Sequence, residues 1–357
     1  MAFAGGCAIS YALAMRLLRR LFILTLCLTS LSAAAEEEDR IAMPEKSGGN
    51  MFFKLATGGL SGNYYPLGGL IAQSLSQPIN GRRCAEGGAC GVPGLVVYPL
   101  SANASLSNMA ALDNGTIDAA IIQSDAAFWG YTGTSLFNTP HTNVRFIATL
   151  FTENLYLIAR KDSNIKTVAD LRGHLVSVGL NGSGTLENTR AVLSAAGMGI
   201  NEIVPQYLTY DEGLKRLRKG LVNALFFVSA ADNVADILGK DLIPVPIDGA
   251  LRQTILDRFL FFDKVTLPAK SYGGSKPWQT VGLGAQLLVR ADLPDKLIYD
   301  ITATLWSPHA QTLLALHPKG QQVRTDTAFF GLSVPMHTGA ARYYREQGIT
   351  PKRLGSH

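Results

Sequence analysis

The chain has 357 residues, 32 of them basic and 27 acidic, for a formal net charge of +5, and 47% are hydrophobic. This balance excludes the clustered Lys/Arg surface that nucleic-acid binding requires. So much apolar material in a chain of this length fills two packed cores rather than one.

The first 35 residues read as a leader. Arg16, Arg19 and Arg20 precede the short apolar run from Leu21 to Leu28, and Ala33-Ala34-Ala35 supplies the small residues a signal peptidase reads. A signal peptide over 1–35, cleaved after Ala35, sends the protein to the periplasm. Met15, just before the basic cluster, is an alternative start. Leu26 before Cys27 does not suit a lipid anchor, and the apolar run is too short for a bilayer anchor, so the mature chain is not membrane-embedded. Without the leader's three arginines the balance is 29 basic to 27 acidic residues, or +2.

Residues 36–50 are acidic and then Pro/Gly/Ser-rich, a flexible lead-in. From Phe52 onward, short apolar strands run into Gly/Ser/Asn turns and then helical patterns, the rhythm of α/β units with parallel strands. The first unit is a strand over Phe52–Thr57, a turn and a helix from Tyr65 to Leu75. Its loop contains Gly58, Gly59, Gly62, Asn63 and Tyr64. The glycines permit φ > 0 and close approach to the backbone, and the amides before a helix favour an anion. Cys84 and Cys90 flank a Gly-rich loop. In an exported protein they most simply form a disulfide, the other readings being free or metal-binding thiols, and no further Cys or suitably spaced His completes a zinc set.

A strand over Gly94–Leu100 is followed by the loop Ser101–Ser105 and a helix from Leu106 to Asn114. Ser101, Asn103 and Ser105 are good helix caps and equally candidate ligand contacts. The strand Ala119–Gln123 ends at Ser124-Asp125, where the Gln123 amide can both donate and accept. Val144–Arg160 is unusually long and apolar for one strand. Tyr156 upon it suits either the cleft or the hinge packing.

A second set follows. Thr167–Leu171 is a short helix and His174–Val178 a strand, and the loop 179–185 leads into a helix reaching Ala196. Asn181, Ser183, Gly184 and Thr185 at this helix start form a second candidate carboxylate cradle. Tyr210–Lys219 is helical, Ala224–Val228 a strand and Ser229–Leu238 a helix, with Ser229 a cap or a ligand contact and Phe226-Phe227 core. Val281–Arg290 is a strand and Pro294–Leu305 a helix. Two α/β sets joined by crossing strands describe a hinged, two-lobed receptor. One lobe spans 51–154 plus 283–330, the other 155–282, with 331–357 a C-terminal tail. Ligands of such sheets sit beyond the strand ends, where helices begin. No Gly-x-Ser-x-Gly elbow, His-Glu-x-x-His or phosphate loop occurs, so neither an enzyme nor a cofactor is expected.

The sequence resembles the TAXI family, the solute receptors of TRAP transporters. The resemblance covers about 52–330 and rests on Thr57-Gly58-Gly59…Gly62-Asn63-Tyr64-Tyr65-Pro66-Leu67-Gly68-Gly69, on Gln123-Ser124-Asp125 with Phe128 and Trp129 after it, and on Ile165–Gly173. Val176-Ser177-Val178-Gly179…Gly182-Ser183-Gly184-Thr185 and Pro246-Ile247-Asp248-Gly249 complete it. It implies a type II periplasmic-binding fold, a glutamate- or 2-oxoglutarate-like ligand, and a TRAP membrane subunit as partner of a monomeric receptor. Ala102, Ala104 and Ser229-Ala230-Ala231 depart from the family's usual glycine- or proline-bearing turns, and both departures touch the expected pocket. A receptor for an ATP-driven importer and an exported sensor remain alternatives.

Overall fold

The computed structural model describes residues 46–351 except 61, 103, 104 and 232. The leader with its Ala35 cleavage site, the alternative start at Met15, most of the lead-in and Asn103 lie outside the described residues.

The first half of the described chain runs β1 (Lys46–Ser47), β2 (Asn50–Ala56), α1 (Tyr64–Leu75), β3 (Ser76–Gln77), β4 (Val92–Pro93), β5 (Leu95–Leu100), α2 (Ser105–Asp113), β6 (Ala119–Gln123), α3 (Ser124–Thr132) and β7 (Val144–Arg160). The second half runs β8 (Leu175–Ser177), α4 (Gly184–Ala195), β9 (Val204–Gln206), α5 (Tyr210–Arg218), β10 (Ala224–Ser229), α6 (Ala235–Leu238), β11 (Leu242–Pro244), α7 (Gly249–Arg258), β12 (Phe262–Leu267), β13 (Trp278–Arg290), α8 (Asp295–Leu305), α9 (Pro308–Leu314) and α10 (Thr338–Glu346). Short 3₁₀ turns link several of them.

Eleven described strands make one sheet, ordered β1-β2-β6-β13-β7-β10-β8-β9, with β5 on β2, β11 on β7 and β12 on β13. The parallel pairing read from the sequence is present in β2/β5/β6 and in β8/β9/β10. Strands β7 and β13 are antiparallel to each other and to β10 and β6, so the sheet is mixed. The cause is their path: β7 carries the chain out of the first α/β set and β13 returns it.

At 17 residues, β7 is about 55 Å long, more than one lobe needs. Its Ile147, Ala148, Leu150 and Phe151 belong to a core with Phe53, Leu67, Ile71 and Leu287. Its Leu155, Leu157 and Ala159 belong to another, with Val176, Leu186, Val192 and Phe226. The opposite faces are covered too, by a cluster around Met109, Phe146 and Leu288 and by one around Tyr156, Leu225, Phe227 and Trp278. Helices on both faces explain why β7 is largely apolar instead of alternating.

Two details seat the first loop. A Cβ on Gly68 of α1 would meet Thr57 Cγ2 at 2.4 Å, so this glycine is needed for close approach of helix to strand. The buried Asn108 of α2 donates from Nδ2 to the Thr57 carbonyl at 2.8 Å, fixing the end of β2.

Some expectations change. Ser229 ends β10, and the helix placed over Ser229–Leu238 is confined to Ala235–Leu238. The amide of Val234 is tied to the Ser271 carbonyl and Asn233 Oδ1 caps Ala235 N–H, so the backbone leaves the strand as a loop and turns helical late. The stretch read as a tail from 331 carries α10, whose Ala340 and Tyr344 are buried in the first-lobe core; Tyr344 donates to the Ile147 carbonyl at 3.0 Å. Its alternation of apolar residues was too short to distinguish from a loop.

Cys84 and Cys90 are disulfide-bonded, with Cα atoms 4.7 Å apart. The bond closes a small loop, and the chain-entropy argument assigns it about 2 kcal/mol. Replacing both cysteines by serine is expected to lower unfolding free energy in a denaturant titration by that amount, with an unchanged denaturant slope.

Candidate functional site

The polar run Thr152-Glu153-Asn154 interrupts β7 where one lobe's core gives way to the other's. Beside it lies a cavity of about 420 Å³. The first lobe contributes Thr57, Gly58, Gly59, Gly62, Asn63 and Tyr64, with Ser105 and Gln123. The second contributes Val228, Ser229 and Ala230 at the end of β10, and Glu153 comes from the strand between.

Glu153 organises the wall. Tyr64 Oη donates to its Oε2 at 2.8 Å, and Gln123 Nε2 donates to the same oxygen at 2.7 Å. Gln123 is held in turn by its own N–H, which donates to Ser105 Oγ at 3.2 Å. Tyr64 packs edge-on against Phe151, with ring centroids 5.7 Å apart. Burial pushes the Glu153 carboxyl up from its usual range, while the bonds from Gln123 and Tyr64 and the charge of Lys319 oppose that rise. The Tyr64 hydroxyl is driven well up, first by burial and then by the neighbouring Glu153.

A second carboxyl lies behind this wall. Asp125 is fully buried at the start of α3 and accepts from Asn188 Nδ2 of α4 at 2.8 Å and from the Ala126 amide at 2.7 Å. Burial is the main reason its carboxyl is pushed up to about 6. Its Oδ2 lies 3.3 Å from where a Cβ on Gly184 would sit, so glycine at 184 lets α4 close on α3. Helix α3 is held to the second set elsewhere too. Ser124 Oγ donates to the Phe261 carbonyl at 2.8 Å, and Trp129 packs against Phe261 in the second-lobe core.

Of the residues singled out in sequence, Gly59, Asn63, Tyr64, Ser105, Gln123 and Ser229 line the cavity together. Ser101 stands beside it, its hydroxyl donating to the Gly58 carbonyl at 3.3 Å. Asn181, Ser183, Gly184 and Thr185 are not in the lining. Ser183 Oγ is used as the cap of α4, accepting from Leu186 N–H at 3.2 Å, and Asn181 is exposed. Tyr156 is not in the cleft. It is fully buried, stacked on Phe227 at 5.0 Å, with its hydroxyl donating to the Ala231 carbonyl at 2.5 Å, because alternation along β7 turns it into the second-lobe core.

The glycines divide by cause. Gly179 and Gly182 adopt left-handed backbone at φ 87° and 74°, so their loop needs them for its turn. Gly58, Gly59 and Gly62 do not adopt positive φ, contrary to one reason given for them. A Cβ on Gly59 would meet nothing within 4 Å, which leaves its backbone open toward the cavity it lines.

Glu153 and Asp125 are the residues that sequence reasoning passed over as site chemistry. A three-residue polar run inside an otherwise apolar crossing strand was the available signal for Glu153. Asp125 resembles an ordinary helix cap in sequence. Among the described residues, no group of three His, Cys, Asp or Glu is placed to hold a metal ion, and no helix is long and apolar enough to cross a membrane.

The mixed sheet, with helices on both faces and a polar cavity at its crossing strand, is an α/β fold of the two-lobed periplasmic-binding-protein type. The chain belongs to the NMT1-like family, which it matches over residues 55–348. Its fold is similar to that of the periplasmic sulfonate-binding protein SsuA of a putative sulfonate ABC transporter from Methylobacillus flagellatus. The TM-score is 0.51 at 13% identity, covering 87% of this chain and 100% of that one. It is also similar to the aliphatic sulphonate binding protein SsuA of Escherichia coli, at TM-score 0.41 and 17% identity, covering 85% and 82% of the two chains. The glutamate-bound GluR0 ligand-binding core from Nostoc punctiforme matches at TM-score 0.40 and 15% identity, covering 75% and 99%.

A pH prediction follows from Asp125. Its folded carboxyl titrates at about 6, above the ordinary 3.8, so between those values the folded chain holds a proton that the unfolded chain has released. Stability therefore falls as pH rises through that window and is level above it. Asp125→Asn should remove this slope, read from denaturant titrations at pH 4.5 and 7.5.

Proposed function

We propose that this protein is a periplasmic solute receptor. It captures a small carboxylate-bearing solute, of the glutamate or 2-oxoglutarate type, between its lobes and delivers it to the membrane subunit of a TRAP transporter. In this reading it is a binding protein and not an enzyme, exported with its leader removed near Ala35 and acting as a monomer. The first lobe is 51–154 with the return segment from 283, extended through α10, and the second is 155–282.

The observation that carries the reading is the cavity at the strands joining the lobes, lined by loops from both. A solute held there touches both lobes at once, so its binding stabilises whichever arrangement brings them together. No lysine or arginine lines the cavity. In this reading a solute carboxylate is met by dipoles, the open backbone at Gly59 and the start of the twelve-residue helix α1. The TAXI assignment rests on the Thr57–Gly69 and Gln123–Asp125 stretches, which contribute most of the first-lobe wall.

Calorimetric titration of the mature protein with L-glutamate and 2-oxoglutarate should show one site per chain, with the solute recovered unchanged. Gly59→Val should weaken binding by at least about tenfold, because the new side chain occupies the open approach, while the melting temperature of the unliganded protein stays within a few degrees. A strain lacking the TRAP membrane subunit should lose uptake of the bound solute. Product formation, or uptake that persists without that subunit, overturns the corresponding part of the reading.

A further inference from the structure

The cavity wall holds a group that recognition of a carboxylate alone does not require. Glu153 sits on an apolar strand, half-buried, with its open side lining the cavity. Its two recorded donors, Tyr64 and Gln123, both bond Oε2, and no hydrogen bond within the described protein falls on Oε1. The nearby Asp125 is a second carboxyl, and the one cation whose charge reaches Glu153, Lys319, is not in the cavity lining. The site thus orients a carboxylate through one oxygen and leaves the other for whatever enters.

We propose that Glu153 Oε1 receives a protonated nitrogen of the solute, making this a receptor for amine-bearing solutes such as α-amino acids in preference to the corresponding 2-oxo acids. The inference rests on the receptor reading above and narrows its ligand class. A half-buried carboxylate whose nearest opposing charge, Lys319, stands outside the cavity is costly, and a solute ammonium supplies a charge inside it together with a charge-assisted hydrogen bond. A 2-oxo acid brings only negative charge and acceptor oxygens toward the same point. With the ammonium at Glu153, the solute's carboxylate can lie toward the open backbone at Gly59, which lines the same cavity. The two ends of a zwitterion would then meet walls of opposite polarity. Tyr64 and Gln123 act as positioning residues, since both already donate to Oε2 and thereby fix the plane of the carboxyl.

The test uses the mature wild-type protein and solute pairs differing only at the amine: L-glutamate with 2-oxoglutarate, L-leucine with 4-methyl-2-oxopentanoate, and L-alanine with pyruvate. Titration calorimetry is expected to show the best-binding amino acid exceeding its oxo acid by about tenfold to a hundredfold. Glu153→Gln should abolish that preference, with an unliganded melting temperature equal to or above wild type. An oxo acid binding as tightly as its amino acid overturns the inference and leaves the receptor reading standing. A preserved amine preference in Glu153→Gln does the same. Failure of all six solutes to bind overturns the inference and the carboxylate reading together. The wild-type comparison decides even where the variant does not fold.

Discussion

Strand β7 has to serve two hydrophobic cores and a polar cavity with one continuous backbone. Its early apolar side chains pack with α1 and β13, its later ones with α4 and β10, and the change of partner occupies Thr152, Glu153 and Asn154. Strand β13 pairs with the whole junction on one side, while β10 on the other reaches only as far as Asn154. A polar side chain there is tolerated only because the cores on either side are already closed and the intervening space is open to a polar solute. The position of the cavity is thus set by the point at which packing runs out.

That placement explains why the loops around it differ in composition. Thr57 is buried, pinned by Asn108 and packed against Gly68, so the base of the first loop is rigid. Gly59, a short step further, has no neighbour for a side chain to touch. Rigid anchorage directly beside an open backbone lowers the ordering cost of capturing a small molecule. Buried polar groups here are tied in chains: Ser105 holds Gln123, and Gln123 with Tyr64 holds Glu153. Such chains impose a single geometry at the expense of burying charge.

Much of the architecture was legible in the sequence because it depends on long apolar runs and on glycine punctuation. Strands Ala119–Gln123 and Val144–Arg160 have the bounds that their hydrophobicity marks. Elements whose signal is tertiary were not legible. Helix α10 has its apolar stripe spread over nine residues, and β12 alternates over only six before the loop that leads into its partner β13. The cavity was read in part, since six candidate residues converge there, but its carboxyl was missed. Loops advertise themselves by composition, whereas Glu153 showed only as part of a short polar run, and its role depends on Tyr64 and Gln123, which the fold brings to it. The second-lobe cradle failed for a related reason. A serine before a helix satisfies its own amides or a ligand's oxygen equally well on paper, and Ser183 is bonded to Leu186.

Helix α3 belongs to the first set by sequence, yet it is seated on the second. Ser124 donates to the Phe261 carbonyl, Trp129 packs on Phe261, and Asp125 is bonded to Asn188. The two lobes are therefore sewn along one side, where buried side chains would have to be exposed to part them. On the other side, Tyr64 and Ser229 line the same cavity. The arrangement is that of a book bound at its spine: the open volume lies at the page edges near Gly59 and Ala230, and the Asp125 margin is closed by buried bonds. If the chain acts as the receptor proposed above, the fore-edge is the side at which a full and an empty molecule would differ.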